Sequence, residues 1–250
     1  MIKHASRTCA TALTMTVLAA VPGWAQDDPA PRGEHVTLLG IPSGTVAPGG
    51  LAFVSLAGTT NRVDAPDTQD GSMAFGLGFG SAEDGIGVQF TTQITSLTDD
   101  FGDSGYLALK FSRRVVASDN PVYLGLSLDY LTPWGDVDGR DPEAALSLTK
   151  FTRLQFSETT SLPVMFTLGA GTGVRNNDTD PGIFFGAGIG LNENLGVSAA
   201  WSGEYADIGA SFRFDGVDNL GISATVHDVF DQKDNRRLTV AVNYFLQDLF

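Results

Sequence analysis

The sequence predicts an all-β chain, a single antiparallel transmembrane β-barrel of about twelve strands, with ten or fourteen as the neighbouring alternatives. Three observations predict it. From Leu51 onward, runs of about ten residues alternate apolar and polar side chains, which is the two-residue period of an extended chain with two unlike faces. The Asp/Gly/Asn-rich breaks between the runs are by turns long and short, as they are when strands run up and down through a membrane. Threaded in that way, the aromatic residues gather toward the two ends of the runs, where amphipathic rings meet a membrane interface.

The elements follow in chain order. The first 25 residues, "MIKHASRTCATALTMTVLAAVPGWA", carry Lys3 and Arg7, then an apolar run from Ala10 to Ala20, then a small-x-small site at Gly23, Trp24 and Ala25. That order predicts a secretory signal peptide, residues 1–25, cleaved after Ala25; the apolar run falls short of the about 20 residues of a membrane helix. Cys9 lies within it, so the mature chain has no cysteine for a disulfide framework or a thiolate metal site. Removing Lys3 and Arg7 leaves 13 basic residues against 29 acidic ones, a formal charge of −16, which excludes nucleic acid as a partner. Residues 26–50, "QDDPAPRGEHVTLLGIPSGTVAPGG", lie outside the repeat and are punctuated by Pro and Gly around a short apolar stretch from Val36 to Ile41. They are expected to be a periplasmic N-terminal segment or a plug folded into the barrel mouth.

Residues 51–250 hold the barrel. The expected strands are "LAFVSLAGT", "SMAFGLGFG", "IGVQFTTQIT", "YLALKFSRR", "VYLGLSLDYL", "AALSLTKFTRL", "VMFTLGAGTG", "IFFGAGIGL", "LGVSAAW", "DIGASFRF", "LGISATVHDV" and "RLTVAVNYF". Met73, Phe75, Leu77 and Phe79 share one face against Ala74, Gly76, Gly78 and Gly80, and Val88 and Phe90 oppose Gln89 and Thr91. The lipid side is expected to carry Phe75, Leu77, Val88, Phe90, Leu126 and Leu128. "VRNNDTDPG" is expected to be a long external loop, and "SGEYA" is the one break shorter than the alternation requires. One strand fits badly: in "AALSLTKFTRL" the apolar face continues through Lys150, and a lysine facing lipid near mid-depth costs about 2–4 kcal/mol. The aromatic belts are expected to hold Phe101, Tyr106, Tyr130, Trp134, Trp201, Tyr205 and Phe230 outside, and Phe79, Tyr123, Tyr244 and Phe250 inside.

A signal peptide, repeated amphipathic strands and a terminal Phe250 on an alternating last strand together resemble the bacterial outer-membrane β-barrel proteins, over roughly residues 51–250. The resemblance implies residence in the outer membrane, contact with its lipids, and recognition of Phe250 as an assembly signal by the barrel assembly machinery. Asp248 interrupts the apolar positions that the family pattern has when counted back in twos from the end.

The expected function is a porin-like passive channel for small solutes, not an enzyme, lined by Gln89, Gln93, Lys110, Ser127, Asp129, Ser211, Arg213, His227 and Asn243. The alternative is a structural or surface-interaction barrel with a closed lumen. An outer-membrane hydrolase would rest on His227 alone, which shares a face with Ser223 and Thr225 but stands in no hydrolase motif. No cofactor is expected: the glycines of "FGLGFG", "LGAGTG" and "FGAGIG" sit at strand period and open no helix, so they do not read as nucleotide loops. Their steric reading is an inward face of small residues that leaves an open lumen or room for a plug. Asp136, Asp138 and Asp141 in "DVDGRDPE" match a calcium loop only in part and are weak metal candidates. The external breaks hold 14 acidic residues against six basic ones, a surface that would attract divalent cations.

Overall fold

The computed structural model describes residues 35–61, 69–98, 101–158, 160–176, 178–234 and 236–250. The expected signal peptide, and residues 26–34 of the segment after it, lie outside the described residues. The described residues form twelve strands: β1 (Ala52–Thr59), β2 (Asp70–Gly80), β3 (Gly87–Ile94), β4 (Gly105–Val116), β5 (Val122–Trp134), β6 (Glu143–Gln155), β7 (Ser161–Arg175), β8 (Asp180–Gly190), β9 (Leu195–Trp201), β10 (Ala206–Phe214), β11 (Val217–His227) and β12 (Arg237–Leu246). Each expected run coincides with one of them. Every strand pairs antiparallel with its sequence neighbours, and β1 closes onto β12 from Ala52↔Leu246 to Thr59↔Thr239. Closure leaves no sheet edge with unpaired backbone groups, the condition for strands to cross hydrocarbon.

The two faces of the wall differ as the alternation requires. On β12, Leu238, Val240, Val242, Tyr244 and Leu246 are exposed on the outer surface, while Thr239, Ala241 and Asn243 are buried inside. The same outward apolar row continues through Phe75 and Leu77 on β2, Leu126 on β5, Leu146 and Leu148 on β6, Phe166 and Leu168 on β7, and Ile183 and Phe185 on β8. A soluble protein would not leave so continuous an apolar surface to water. The chain is a membrane-spanning β-barrel of the outer-membrane type. Sidedness follows from the connections: the end that holds residue 250 has breaks as tight as Asp215–Gly216, and the opposite, external end is where the longer sequence breaks join β1 to β2, β3 to β4, β5 to β6 and β11 to β12.

Four expectations are corrected. The break after β7 is short, because Arg175 and Asp180 belong to strands and pair across it. Lys150 is outward and exposed, but it does not sit at mid-depth: it pairs with Val122, the first residue of β5, beside the β4–β5 turn. The stagger between neighbouring strands moves it toward the periplasmic headgroups. Tyr106, Tyr130 and Tyr205 are not in the outer aromatic belt. Tyr106 lies on the inward face with Lys110, a bulge at Tyr130 (φ 53°) turns that ring inward, and the two rings stack at 4.3 Å. Tyr205 is held from inside by Arg237, whose Nη2 donates to the phenolic oxygen at 3.1 Å. Tyr123, expected in the inner belt, follows the inward parity of Gly125 and Ser127, and its hydroxyl bonds Glu83.

Candidate functional site

The lumen is the candidate site, and what occupies it is the chain's own residues 35–50. Their path starts at the periplasmic end, where the His35 amide donates to the Asn192 carbonyl in the β8–β9 turn. It climbs along β8, β9 and β10, with the Leu39 amide bonded to Ser198 Oγ at 3.2 Å, and turns at Gly40 (φ 89°) against Asp207. It then crosses to the opposite wall: Ser147 Oγ donates to the Ser43 carbonyl, the Gly44 amide donates to Thr149 Oγ1 at 2.7 Å, and Ser112 Oγ donates to the Gly44 carbonyl. The Ala47 amide donates to Gln89 Oε1 at 2.9 Å before the chain descends to β1. Backbone polar groups inside a lumen need partners, and these side chains supply them.

Apolar packing fixes one flank of this segment. Val36, Leu38 and Ile41 form one buried cluster with Met165, Val174, Phe184 and Ala200 of β7, β8 and β9. The inward glycines make the approach possible. A Cβ on Gly188 would collide with the Thr37 carbonyl, and one on Gly78 with the Pro48 and Ala47 carbonyls. At these positions the small inward face lies directly against residues 37, 47 and 48.

His35 is a latch at the entry point. Arg213 Nε–H donates to His35 Nδ1 at 2.6 Å, so that nitrogen carries no proton, and the Nε2 proton faces Ser211 Oγ at 2.5 Å. Burial first, and then the Arg213 charge, lower the imidazole from its ordinary 6.5 to about 3. The sequence reading placed Ser211 and Arg213 on the lumen wall but paired neither with residue 35.

Above the segment the interior is polar and charged. His227 Nδ1 lies 3.0 Å from Asp207 Oδ2 on the neighbouring strand, and both side chains are buried. His227 Nε2 has no hydrogen-bond partner among the described residues. The dyad thus has an orienting carboxylate but no hydroxyl on the nitrogen that a nucleophile would need. Lys110 and Ser127 are register partners whose Nζ and Oγ are likewise buried without hydrogen bonds among the described residues, with Asp129 as the nearby countercharge of Lys110. Ser55 Oγ donates to Asn243 Oδ1 at 2.7 Å, tying β1 to β12 from within. Gln93 is buried on β3 and donates to the Ile94 carbonyl at 3.4 Å.

The external end is partly roofed. Tyr106, Tyr130 and Val137 form a second buried cluster, and Arg140 lies over the Tyr130 ring at 4.5 Å while its Nη2 holds Glu143 Oε1 at 2.9 Å. Asp136, Asp138 and Asp141 are exposed around the short 3₁₀ turn Gly135–Val137, and no three His, Cys, Asp or Glu side chains among the described residues converge as metal ligands. Phe250 lies at the periplasmic rim, exposed and stacked on Phe79 at 5.4 Å.

No family model matches the sequence, and no curated protein matches it. Among solved structures, the chain is similar to the Acinetobacter baumannii outer membrane protein Omp33, with 12% identity over 80% of this chain and 98% of that one and a TM-score of 0.44. It is similar to the COG4313 outer membrane channel from Pseudomonas putida F1, with 10% identity over 80% and 97% of the two chains and a TM-score of 0.39. A third likeness is to the β domain of the Bordetella autotransporter BrkA, with 15% identity over 80% and 100% and a TM-score of 0.35.

Proposed function

We propose that this outer-membrane barrel is closed at rest by its own residues 35–50, and that small solutes pass only when that segment withdraws. One observation carries the reading. The polar side chains that a water-filled pathway would have to wet, Gln89, Gln93, Lys110, Ser127, Ser211, His227 and Asn243, are 2–7% exposed. A permanently open porin needs those same atoms in contact with its water column, so the closed barrel is favoured over it. Hydrolysis is disfavoured by the same burial, since a substrate would have to reach His227 through a filled interior.

Single-channel recording on the refolded mature protein tests the proposal. The intact chain should be nearly silent, and a chain lacking residues 36–47 should give discrete conductance steps. Gly188→Val, which forces the segment off β8 without touching the outer surface, should open the lumen part of the time. Steady conductance of the intact chain at every protein load would overturn the closed state. Silence of both variants, each shown to be folded by heat-modifiable migration, would overturn the solute pathway.

A further inference from the structure

The outer surface of the barrel is apolar with a small number of exceptions. Among strand residues whose side chains are described, the outward charges are Arg113 on β4 and Lys150 on β6, both near the periplasmic end, whereas Arg175 lies on the inward side against Gly182. Arg175 donates to the Pro181 carbonyl at 2.7 Å. Arg113 and Lys150 are both exposed, and neither side chain has a hydrogen bond or ion pair among the described residues. Other cations behave differently: Arg114 reaches Glu83, Arg140 holds Glu143, Lys233 approaches Glu204 and Arg236 holds Asp231. In a chain with 29 acidic residues, two cations left unpaired on the same lateral stretch of wall call for an external counter-anion.

The register brings the two together. Arg113 pairs with Leu124, two residues along β5 from Val122, and Val122 pairs with Lys150. Strand spacing and rise put the two Cα atoms roughly 12 Å apart on one face, within converging reach of an extended guanidinium and an extended ammonium. Toward the middle of the barrel this site opens onto exposed Leu126, Leu148 and Phe166, the last of which pairs with Lys150. Cations at the periplasmic level with an apolar track running from them into the membrane match the shape and polarity of one lipid molecule.

We propose that Arg113 and Lys150 bind the phosphate of an anionic phospholipid of the periplasmic leaflet, with an acyl chain lying along Leu126, Leu148 and Phe166. Arg113 supplies a planar fork for two phosphate oxygens and Lys150 a mobile point charge, a pair suited to a phosphodiester. The contact fixes the β4–β6 sector at the headgroup level and removes the cost of an unpaired ammonium at the edge of the hydrocarbon.

Native mass spectrometry of the refolded mature protein tests this, with phosphatidylglycerol and phosphatidylcholine supplied at equal concentration. The intact protein should retain phosphatidylglycerol roughly tenfold or more over phosphatidylcholine, the scale expected of two cations at a membrane surface. Arg113→Gln with Lys150→Gln should reduce that ratio to near one, each single change should give an intermediate value, and Arg236→Gln in an external loop should leave it unchanged. Equal retention by the intact protein, or an unchanged ratio in the double variant, would overturn the site. Displacement of the lipid by millimolar inorganic phosphate would show a free-anion site instead, and would equally overturn the lipid assignment. If the double variant does not refold, the two single variants give the same readout.

Discussion

At the scale of single residues, His35 shows how one hydrogen bond fixes a protonation state. Because Arg213 donates to Nδ1, a second proton on the ring would place an N–H against an N–H and two positive charges at bonding distance. The docked segment therefore holds His35 neutral down to about pH 3, whereas a withdrawn, solvated imidazole takes up its proton near 6.5. Between those two values the withdrawn state binds more protons, so docking is full above 6.5 and weakens as the pH falls toward 3. A spin label at Thr45→Cys reads this cleanly, because the mature chain is expected to have no other cysteine. Its mobility should rise on acidification below about pH 6.5, the ordinary imidazole range, and the rise should vanish in His35→Asn. A label equally immobile at pH 7 and pH 4 would show that His35 does not govern docking.

At the scale of elements, adjacent positions on β2 face opposite environments. Leu77 points to lipid and Gly78 to the Pro48 carbonyl, so arginine at each should fail for a different reason. Leu77→Arg should cost about 2–4 kcal/mol of barrel stability if it lies near the midplane. Gly78→Arg should leave the wall intact and displace residues 47–48, which appears as protease sensitivity of the N-terminal segment. Refolding titrations in lipid vesicles with equal losses at both positions would refute the assigned faces. At the closing strand, deletion of Phe250 removes its stack on Phe79 and should lower the outer-membrane level of heat-modifiable protein more than the level of secreted chain. These strands were legible in the sequence because a two-residue period is a local signal, visible within "SMAFGLGFG" or "RLTVAVNYF" alone. The depth of Lys150 was not, since it depends on the stagger of β6 against β5. Nor was the pairing of His227 with Asp207, because the β10–β11 register shifts between Arg213 and Phe214 and defeats counting outward from the turn. The course of residues 35–50 was hidden for another reason: glycines meeting carbonyls across a lumen, as at Gly188 and Thr37, leave no periodic trace.

At the scale of the whole molecule, charge is distributed unevenly along the barrel axis. Asp103, Asp136, Asp138, Asp178, Glu204, Asp231 and Asp234 lie in the external connections, against Arg140, Lys233 and Arg236. Burial raises the Asp178 carboxyl above its usual range, while neighbouring Arg140 opposes that rise. The interior carries Lys110 with Asp129 as its nearby countercharge, and Arg213 lies at the far periplasmic end, engaged with His35. Once residues 36–47 are removed, an entering ion meets the acidic mouth first, and Asp129 next along the wall. The chain lacking residues 36–47 should therefore conduct cations in preference to anions. The preference should weaken as salt rises, since the mouth potential is screened over about 10 Å at 0.1 M. Asp129→Asn in that background should weaken it further at low salt and have little effect at high salt, where the mouth charges no longer dominate. Reversal potentials across a salt gradient measure this directly. An anion preference, or a cation preference indifferent to ionic strength, would mean that Lys110 and Arg213 govern passage from within and that the acidic connections stand too far from the conducting path to matter.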